Sequence, residues 1–220
     1  MMKNCLLITG GNLDLDFAGA FCKSQSFDLT IVADGGLKAA KALGICPDVI
    51  VGDLDTADPS LVEEFRKVPY ILWDIHPPEK NETDTELALR RAMSMGADRI
   101  QILGATGGRF DHMLANVFLL YGCLQKGVEA YILDRQNRIF LIEDTYTFYR
   151  DKLWGKYISF LPLLGEIRGI TLEGFCYPLK DYDLEAGSSR CISNELAGDK
   201  GTIYFREGIA ICVESRDLTT

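Results

Sequence analysis

Leu29-Thr30-Ile31-Val32-Ala33-Asp34-Gly35-Gly36 and, further along, Val49-Ile50-Val51-Gly52-Asp53-Leu54-Asp55-Thr56 are the two stretches whose reading decides the fold. In each, a short apolar, β-branched run breaks off into aspartate and glycine, as a buried parallel strand does where it emerges from its sheet. The same unit repeats outward in both directions. Strands are expected at Cys5 to Ile8, Leu29 to Ala33, Val49 to Val51, Tyr70 to Trp73, Arg99 to Leu103 and Ala130 to Leu133, with amphipathic stretches of helical length between them. Such alternation is the pattern of βα units around a parallel sheet.

The helices carry their own end signals. Asp58-Pro59 places an N-cap acid before a first-turn proline, ahead of Leu61 to Lys67. Thr83-Asp84-Thr85-Glu86 reads as a capping box opening Leu87 to Met95, and Gly96 and Gly127 fit the left-handed residue that ends a helix. After about Asp134 the texture changes to alternating, aromatic-rich segments, among them Tyr146 to Tyr149, Tyr157 to Leu161, Gly201 to Phe205 and Ile209 to Val213, with a glycine turn at Arg206-Glu207-Gly208. That alternation fits antiparallel strands with one face buried. The expected fold is therefore α/β: an N-terminal doubly wound, mainly parallel, Rossmann-like sheet domain over residues 1–134, then a smaller all-β sandwich domain over residues 135–220. No internal repeat or long linker interrupts it.

Composition narrows the function classes. A chain of 220 residues with a formal net charge of −9 repels a polyanion, so a nucleic-acid partner is not expected. No apolar run approaches the roughly 18 residues of a membrane span, and Cys5-Leu6-Leu7-Ile8 is too short for a signal-peptide core. Seven scattered cysteines without a Cys-x-x-Cys pair read as free thiols in a reducing, cytoplasmic setting.

The chemistry collects behind the strands. Asp34-Gly35-Gly36 follows the second, Gly52-Asp53-Leu54-Asp55-Thr56 the third, a loop ending at Thr83-Asp84 the fourth, and Gly104-Ala105-Thr106-Gly107-Gly108-Arg109-Phe110-Asp111-His112 the fifth. In open α/β sheets the carboxyl ends of the strands form the binding crevice, so these loops converge on one edge. Each has a bland reading by itself: Asp34-Gly35-Gly36 as a tight turn, Asp84 as a first-turn acid stabilised by the helix dipole, an Asp-x-Asp as turn or cap, His112 as a packing residue. Together they crowd carboxylates into one cleft. Like charges a few ångströms apart resist ionising without a cation, and hard oxygen donors of this kind suit magnesium. Asp53 and Asp55 are the leading ligands, on the expectation that an Asp-x-Asp in an extended loop points both side chains the same way. Gly104 to Arg109 matches neither standard phosphate-loop fingerprint, yet small residues, a planar guanidinium and a following helix N-terminus make a credible phosphate cradle. Metal carboxylates beside such a cradle point to phosphoryl-type transfer.

Read in order, Ala33-Asp34-Gly35-Gly36, Gly52-Asp53-Leu54-Asp55-Thr56, Thr83-Asp84-Thr85-Glu86-Leu87-Ala88-Leu89, Gly104 to His112 and Ile192-Ser193-Asn194-Glu195 resemble the thiamine pyrophosphokinases. The resemblance implies transfer of a pyrophosphoryl group from ATP to thiamine, giving thiamine diphosphate and AMP, with Mg2+ as cofactor. It implies Asp53, Asp55 and Asp84 as metal ligands, and these with Asp111 as the catalytic acids. It assigns ATP binding to Asp34, Thr83, Thr106, Gly107, Gly108 and Arg109, and thiamine binding to Ser193 and Asn194. It implies a homodimer whose sites lie between the α/β domain of one subunit and the sandwich of the other. Lys80-Asn81 is a departure, because similar proteins often carry an acid just before the Thr-Asp motif. A pyrophosphokinase of another hydroxymethyl heterocycle, such as a pterin, and a non-catalytic nucleotide-binding regulator are the alternative readings.

Overall fold

The computed structural model describes residues 2–218. Its contacts divide the chain into two compact units, one up to Arg135 and one from Gln136 onward.

The first unit alternates strand and helix. Its strands are β1 (Asn4–Ile8), β2 (Leu29–Ala33), β3 (Val49–Gly52), β4 (Leu72–Ile75), β5 (Arg99–Leu103) and β6 (Glu129–Leu133), and its helices are α1 (Leu15–Ser24), α2 (Leu37–Leu43), α3 (Pro59–Arg66), α4 (Asp84–Ser94) and α5 (Phe110–Leu124). The strands pair in the order β4-β3-β2-β1-β5-β6, every pairing parallel. Leu6, Leu7, Ile8, Ile31, Ile50, Ile100, Ile102 and Leu103 are almost wholly buried, which explains why these strands are mostly apolar: a central parallel strand is covered on both faces. Strand order runs outward from β1 in both directions, so the carboxyl ends of β1 and β5 flank the point where the winding reverses, the place where open α/β sheets bind ligands.

The helix ends follow local chemistry. The Asp58 carboxylate accepts from Ser60 N at 2.8 Å, with Pro59 in the first turn of α3. The Thr83 hydroxyl accepts from Glu86 N at 3.2 Å, but the Glu86 carboxylate turns to Arg90 at 2.6 Å instead of back to Thr83, so only half of the capping box forms. Gly96 and Gly127 have φ of +79° and +68°. One strand is displaced from its expected place: β4 is Leu72–Ile75 rather than Tyr70 to Trp73. Tyr70 is exposed in the turn after α3, and β4 is an edge strand whose Leu72 and Ile75 stay half in solvent, so its apolar residues do not mark its ends.

The second unit is all β. Strands β7 (Asn137–Ile142), β13 (Ala210–Ser215) and β9 (Tyr157–Pro162) pair antiparallel in that order. Strands β11 (Leu179–Leu184), β10 (Ile167–Glu173), β12 (Lys200–Tyr204) and β8 (Tyr146–Tyr149) form a second antiparallel sheet. Phe148 on β8, Phe160 on β9 and Phe175 meet edge-on with ring centroids 5.8–6.0 Å apart, tying the two sheets together in one aromatic core. Glu214 on β13 is fully buried and answered at both oxygens, by Arg138 on β7 at 2.5 Å and by Trp154 N at 2.6 Å. No helix among the described residues is long and apolar enough to cross a membrane.

Candidate functional site

A cleft of about 580 Å³ opens at the carboxyl ends of the parallel strands. Its lining comes from the loops after β1, β2, β3, β4 and β5 and from α5. The loops after β1 and β5 meet closely: Gly11 N donates to Gly104 O at 2.9 Å, and a Cβ on Gly104, whose φ is +75°, would sit 2.5 Å from Thr9 O. Only glycine permits that approach.

Three carboxylates converge here. Oxygens of Asp34, Asp53 and Asp55 all lie within 4.8 Å of one another. Asp34 sits at the end of β2 with φ of +34° and is 7% exposed. One of its oxygens accepts from the Thr56 hydroxyl; the other, Oδ1, is buried without a hydrogen-bond partner. Asp53 and Asp55 do not reach the same side by way of an extended loop. Leu54 between them takes φ of +65°, and Asp53 Oδ1 accepts from Asp55 N at 3.1 Å, so a tight turn folds the two side chains together. Gly52 makes room for it, since a Cβ there would lie 3.1 Å from Asp34 Cβ and 3.2 Å from Asp84 Oδ1.

Lys80 reaches into this cluster. Its ammonium is 2.5 Å from Asp53 Oδ2 and 3.1 Å from Asp84 Oδ1, with the Lys80 side chain only 10% exposed. Asp84 Oδ1 takes no well-angled hydrogen bond. The charges separate the acids: the hydrogen bond from Lys80 pushes the Asp53 carboxyl below its usual range, whereas lost hydration and the neighbouring charge of Asp53 push Asp55 up. Burial opposes the charge on Lys80, but its bonds to Asp53 and Asp84 outweigh that and raise its pKa.

The glycine-rich segment after β5 ends in Arg109 at the N-cap of α5. Asn116 Nδ2 donates to Ala105 O at 3.0 Å, pinning the start of the loop to the helix. Arg109 closes a fork on Asp111, Nε at 3.1 Å and Nη2 at 2.5 Å, which holds the Asp111 carboxyl at about 2. Both side chains are largely exposed.

Asp34, Asp53, Asp55, Thr83, Asp84, Gly107, Gly108 and Arg109 thus all line the cleft. Thr106 is buried within the loop, and neither it nor Asp111, tied to Arg109, is part of the lining. Ser193 and Asn194 belong to the second unit. Ser193 is exposed with φ of +57°. Asn194 is 3% exposed and its amide makes three hydrogen bonds: Oδ1 accepts from Tyr177 N at 3.0 Å and Glu195 N at 2.9 Å, and Nδ2 donates to Tyr177 O at 2.8 Å. Its side chain clamps the chain around Tyr177. The cleft also includes Gly10, Gly11 and Asn12 after β1, Thr56, and Lys80. The loop after β1 was legible by the same glycine-behind-a-strand signal as the others; the place of Lys80 had no signal beyond its oddity of charge.

Buried, unpartnered Asp34 Oδ1 beside two further carboxylates is the donor set of a hard divalent cation, and the residues fit one. A flanking glycine loop and a helix N-terminus offer backbone N–H groups to phosphate.

Known proteins resemble this chain in sequence and in fold. Residues 23–132 match the family model described as "Thiamin pyrophosphokinase, catalytic domain", and residues 145–210 match "Thiamin pyrophosphokinase, vitamin B1 binding domain". The thiamine pyrophosphokinase of Bacillus subtilis is 36% identical over 98% of this chain and 100% of its own length. The crystal structure of a Bacillus subtilis thiamine pyrophosphokinase superposes with a TM-score of 0.88 at 34% identity, covering 98% of this chain and 100% of that one. A thiamin pyrophosphokinase from Geobacillus thermodenitrificans superposes with a TM-score of 0.84 at 31% identity, covering 99% of each chain. Neither a pterin acceptor nor a non-catalytic regulator is favoured by these likenesses.

Proposed function

The chain belongs to the thiamine pyrophosphokinase family, and from that premise we propose which of its residues carry the reaction. The enzyme transfers pyrophosphate from ATP to thiamine, giving thiamine diphosphate and AMP. Because AMP leaves, the bond that breaks joins the α-phosphorus bridge to the β-phosphorus, and the hydroxyethyl oxygen of thiamine attacks the latter.

The observation that carries the assignment of roles is the convergence of Asp34, Asp53 and Asp55 within 4.8 Å at the mouth of the glycine-rich loop. In this reading these three carboxylates hold Mg2+, with Asp84 beside them. Bound there, the ion would neutralise charge on the transferring phosphates. Gly107, Gly108 and the N-terminus of α5 receive the phosphate chain, and Arg109 swings from Asp111 to the nucleotide, an exchange of one anionic partner for another. Thr83 caps α4 and sets Asp84 at the cleft edge. Thr106 acts from within the loop, by packing. Asp111 contributes through Arg109. A loose transition state asks little of a general base, which suits a cleft whose acids are held by Lys80, Thr56 or a metal.

Thiamine binding is proposed for the second unit, with Ser193 at the exposed surface and Asn194 shaping the segment from within. We further propose a homodimer with composite sites, a reading supported by the matching of catalysis and vitamin binding to separate family models on separate units. The seven free cysteines support a reducing, cytoplasmic location.

Subunit mixing tests the site assignment. Wild-type protein should release AMP from ATP only with thiamine and Mg2+ present. Asp55→Asn chains lack a metal ligand and Ser193→Trp chains have a blocked thiamine surface, so each should be inactive alone. Mixed dimers, verified by mass spectrometry of tagged chains, should recover AMP release, because one of their sites then draws both halves from intact units. Mixed dimers that stay inactive would refute composite sites.

A further inference from the structure

The carboxylates of the cleft form two cation seats that share Asp53. One is the cluster of Asp34, Asp53 and Asp55, closed enough for one ion to meet an oxygen of each. The other lies between Asp53 Oδ2 and Asp84 Oδ1, and it already holds a cation: the Lys80 ammonium, 2.5 Å from the first and 3.1 Å from the second. This lysine is not a solvated surface charge. Its side chain is 10% exposed and that of Asp53 is 8%, a degree of burial lysine tolerates only when paired. Lys80 arrives from the loop between β4 and α4, four residues before Asp84, so the chain that delivers one anion of the seat also delivers its cation. An ammonium has three N–H donors, so Lys80, hydrogen-bonded to Asp53 and ion-paired with Asp84, still has a donor for an oxygen of a bound phosphate.

We propose that Lys80 is the built-in second cation of this site: it fills the Asp53–Asp84 seat permanently, so that the protein's own carboxylates take a single divalent ion, and its ammonium supplies fixed positive charge to the phosphate chain. The inference rests on the metal reading of Asp34, Asp53 and Asp55 and deepens it. A strongly acidic cleft would otherwise admit a second divalent ion between Asp53 and Asp84, in the manner of two-metal phosphoryl-transfer sites.

The test counts ions on the full chain without nucleotide, using Mn2+ and the electron paramagnetic resonance signal of the free aquo ion at about 0.15 M salt, where diffuse binding to the negative surface is screened. Asp55→Asn identifies the ion held by the first seat. Wild-type protein should bind a single Mn2+ that Asp55→Asn abolishes. Lys80→Met should bind a second with comparable affinity, and adding Asp84→Asn to Lys80→Met should remove that second ion. Lys80→Gln, which removes the charge but keeps an amide donor, should behave as Lys80→Met does and serves if the latter fails to fold. Two ions on the wild-type protein, or an unchanged count in a folded Lys80 variant, would overturn the inference while leaving the first seat standing. No Mn2+ sensitive to Asp55→Asn would instead overturn the metal reading, and with it this one.

Discussion

The two units treat a buried carboxylate in opposite ways. At the carboxyl ends of the parallel strands, Asp34 keeps a buried oxygen without a hydrogen bond. In the second unit, buried Glu214 is answered by Arg138 and Trp154 N, and the Asn194 amide makes three hydrogen bonds. A buried carboxylate oxygen left without a partner costs free energy that a fold keeps only where something else repays it. Satisfied groups simply define the scaffold. By this contrast the Asp34 cluster has an open place for a cation, as proposed above, whereas Glu214 and Asn194 are spent on holding the fold of the second unit.

The largest effect should come from the unfinished end. Asp55→Asn removes a proposed metal ligand at an exposed position, so turnover should fall on the order of a thousandfold, equivalent to several kcal/mol of lost charge stabilisation. The thermal melt should stay near that of the wild type. Near-full activity at saturating Mg2+ in a folded variant would erase the distinction between the two regions.

The finished end should respond in stability first. Glu214→Ala leaves Arg138 and Trp154 N facing a void in the β unit, and breaking a buried, hydrogen-bonded pair of this kind costs about 3–5 kcal/mol. Urea denaturation followed by tryptophan fluorescence should report the loss, Trp154 lying at the perturbed site. A change under about 1 kcal/mol would mean that the pair is not the structural element it resembles.

Arg109→Ala separates the two classes within the cleft. The Arg109–Asp111 pair is exposed, so its loss should leave stability within about 0.5 kcal/mol. Losing a charged donor to phosphate should raise the ATP Michaelis constant roughly tenfold or more, with the thiamine constant unchanged. An unaltered ATP constant together with unaltered turnover would return Arg109 to the scaffold.

Much of this molecule was legible in its sequence because the signals were local. A central parallel strand is buried on both faces, so β1, β2, β3 and β5 stand out as short, mostly apolar runs, and Thr83, Asp58, Gly96 and Gly127 mark helix ends through bonds and dihedrals formed within a few residues. Two edge strands carry no such signal. Polar β11 and half-exposed β4 are strands because their neighbours pair with them.

The sequence by itself determined the βα alternation, the change to an all-β second half, and the loops that would carry acids and glycines, because strand burial and turn chemistry act over a few neighbouring residues. Which acids share a seat was decided only by the tertiary structure. Asp34 and Asp55 meet across two strand ends through the turn at Leu54, Asp111 is drawn away by Arg109, and Lys80 enters between Asp53 and Asp84. Coulomb forces act through space, over separations that chain order does not record, so a residue noticeable in sequence only as an unexpected charge becomes the counter-ion of the cleft once the strands are laid side by side.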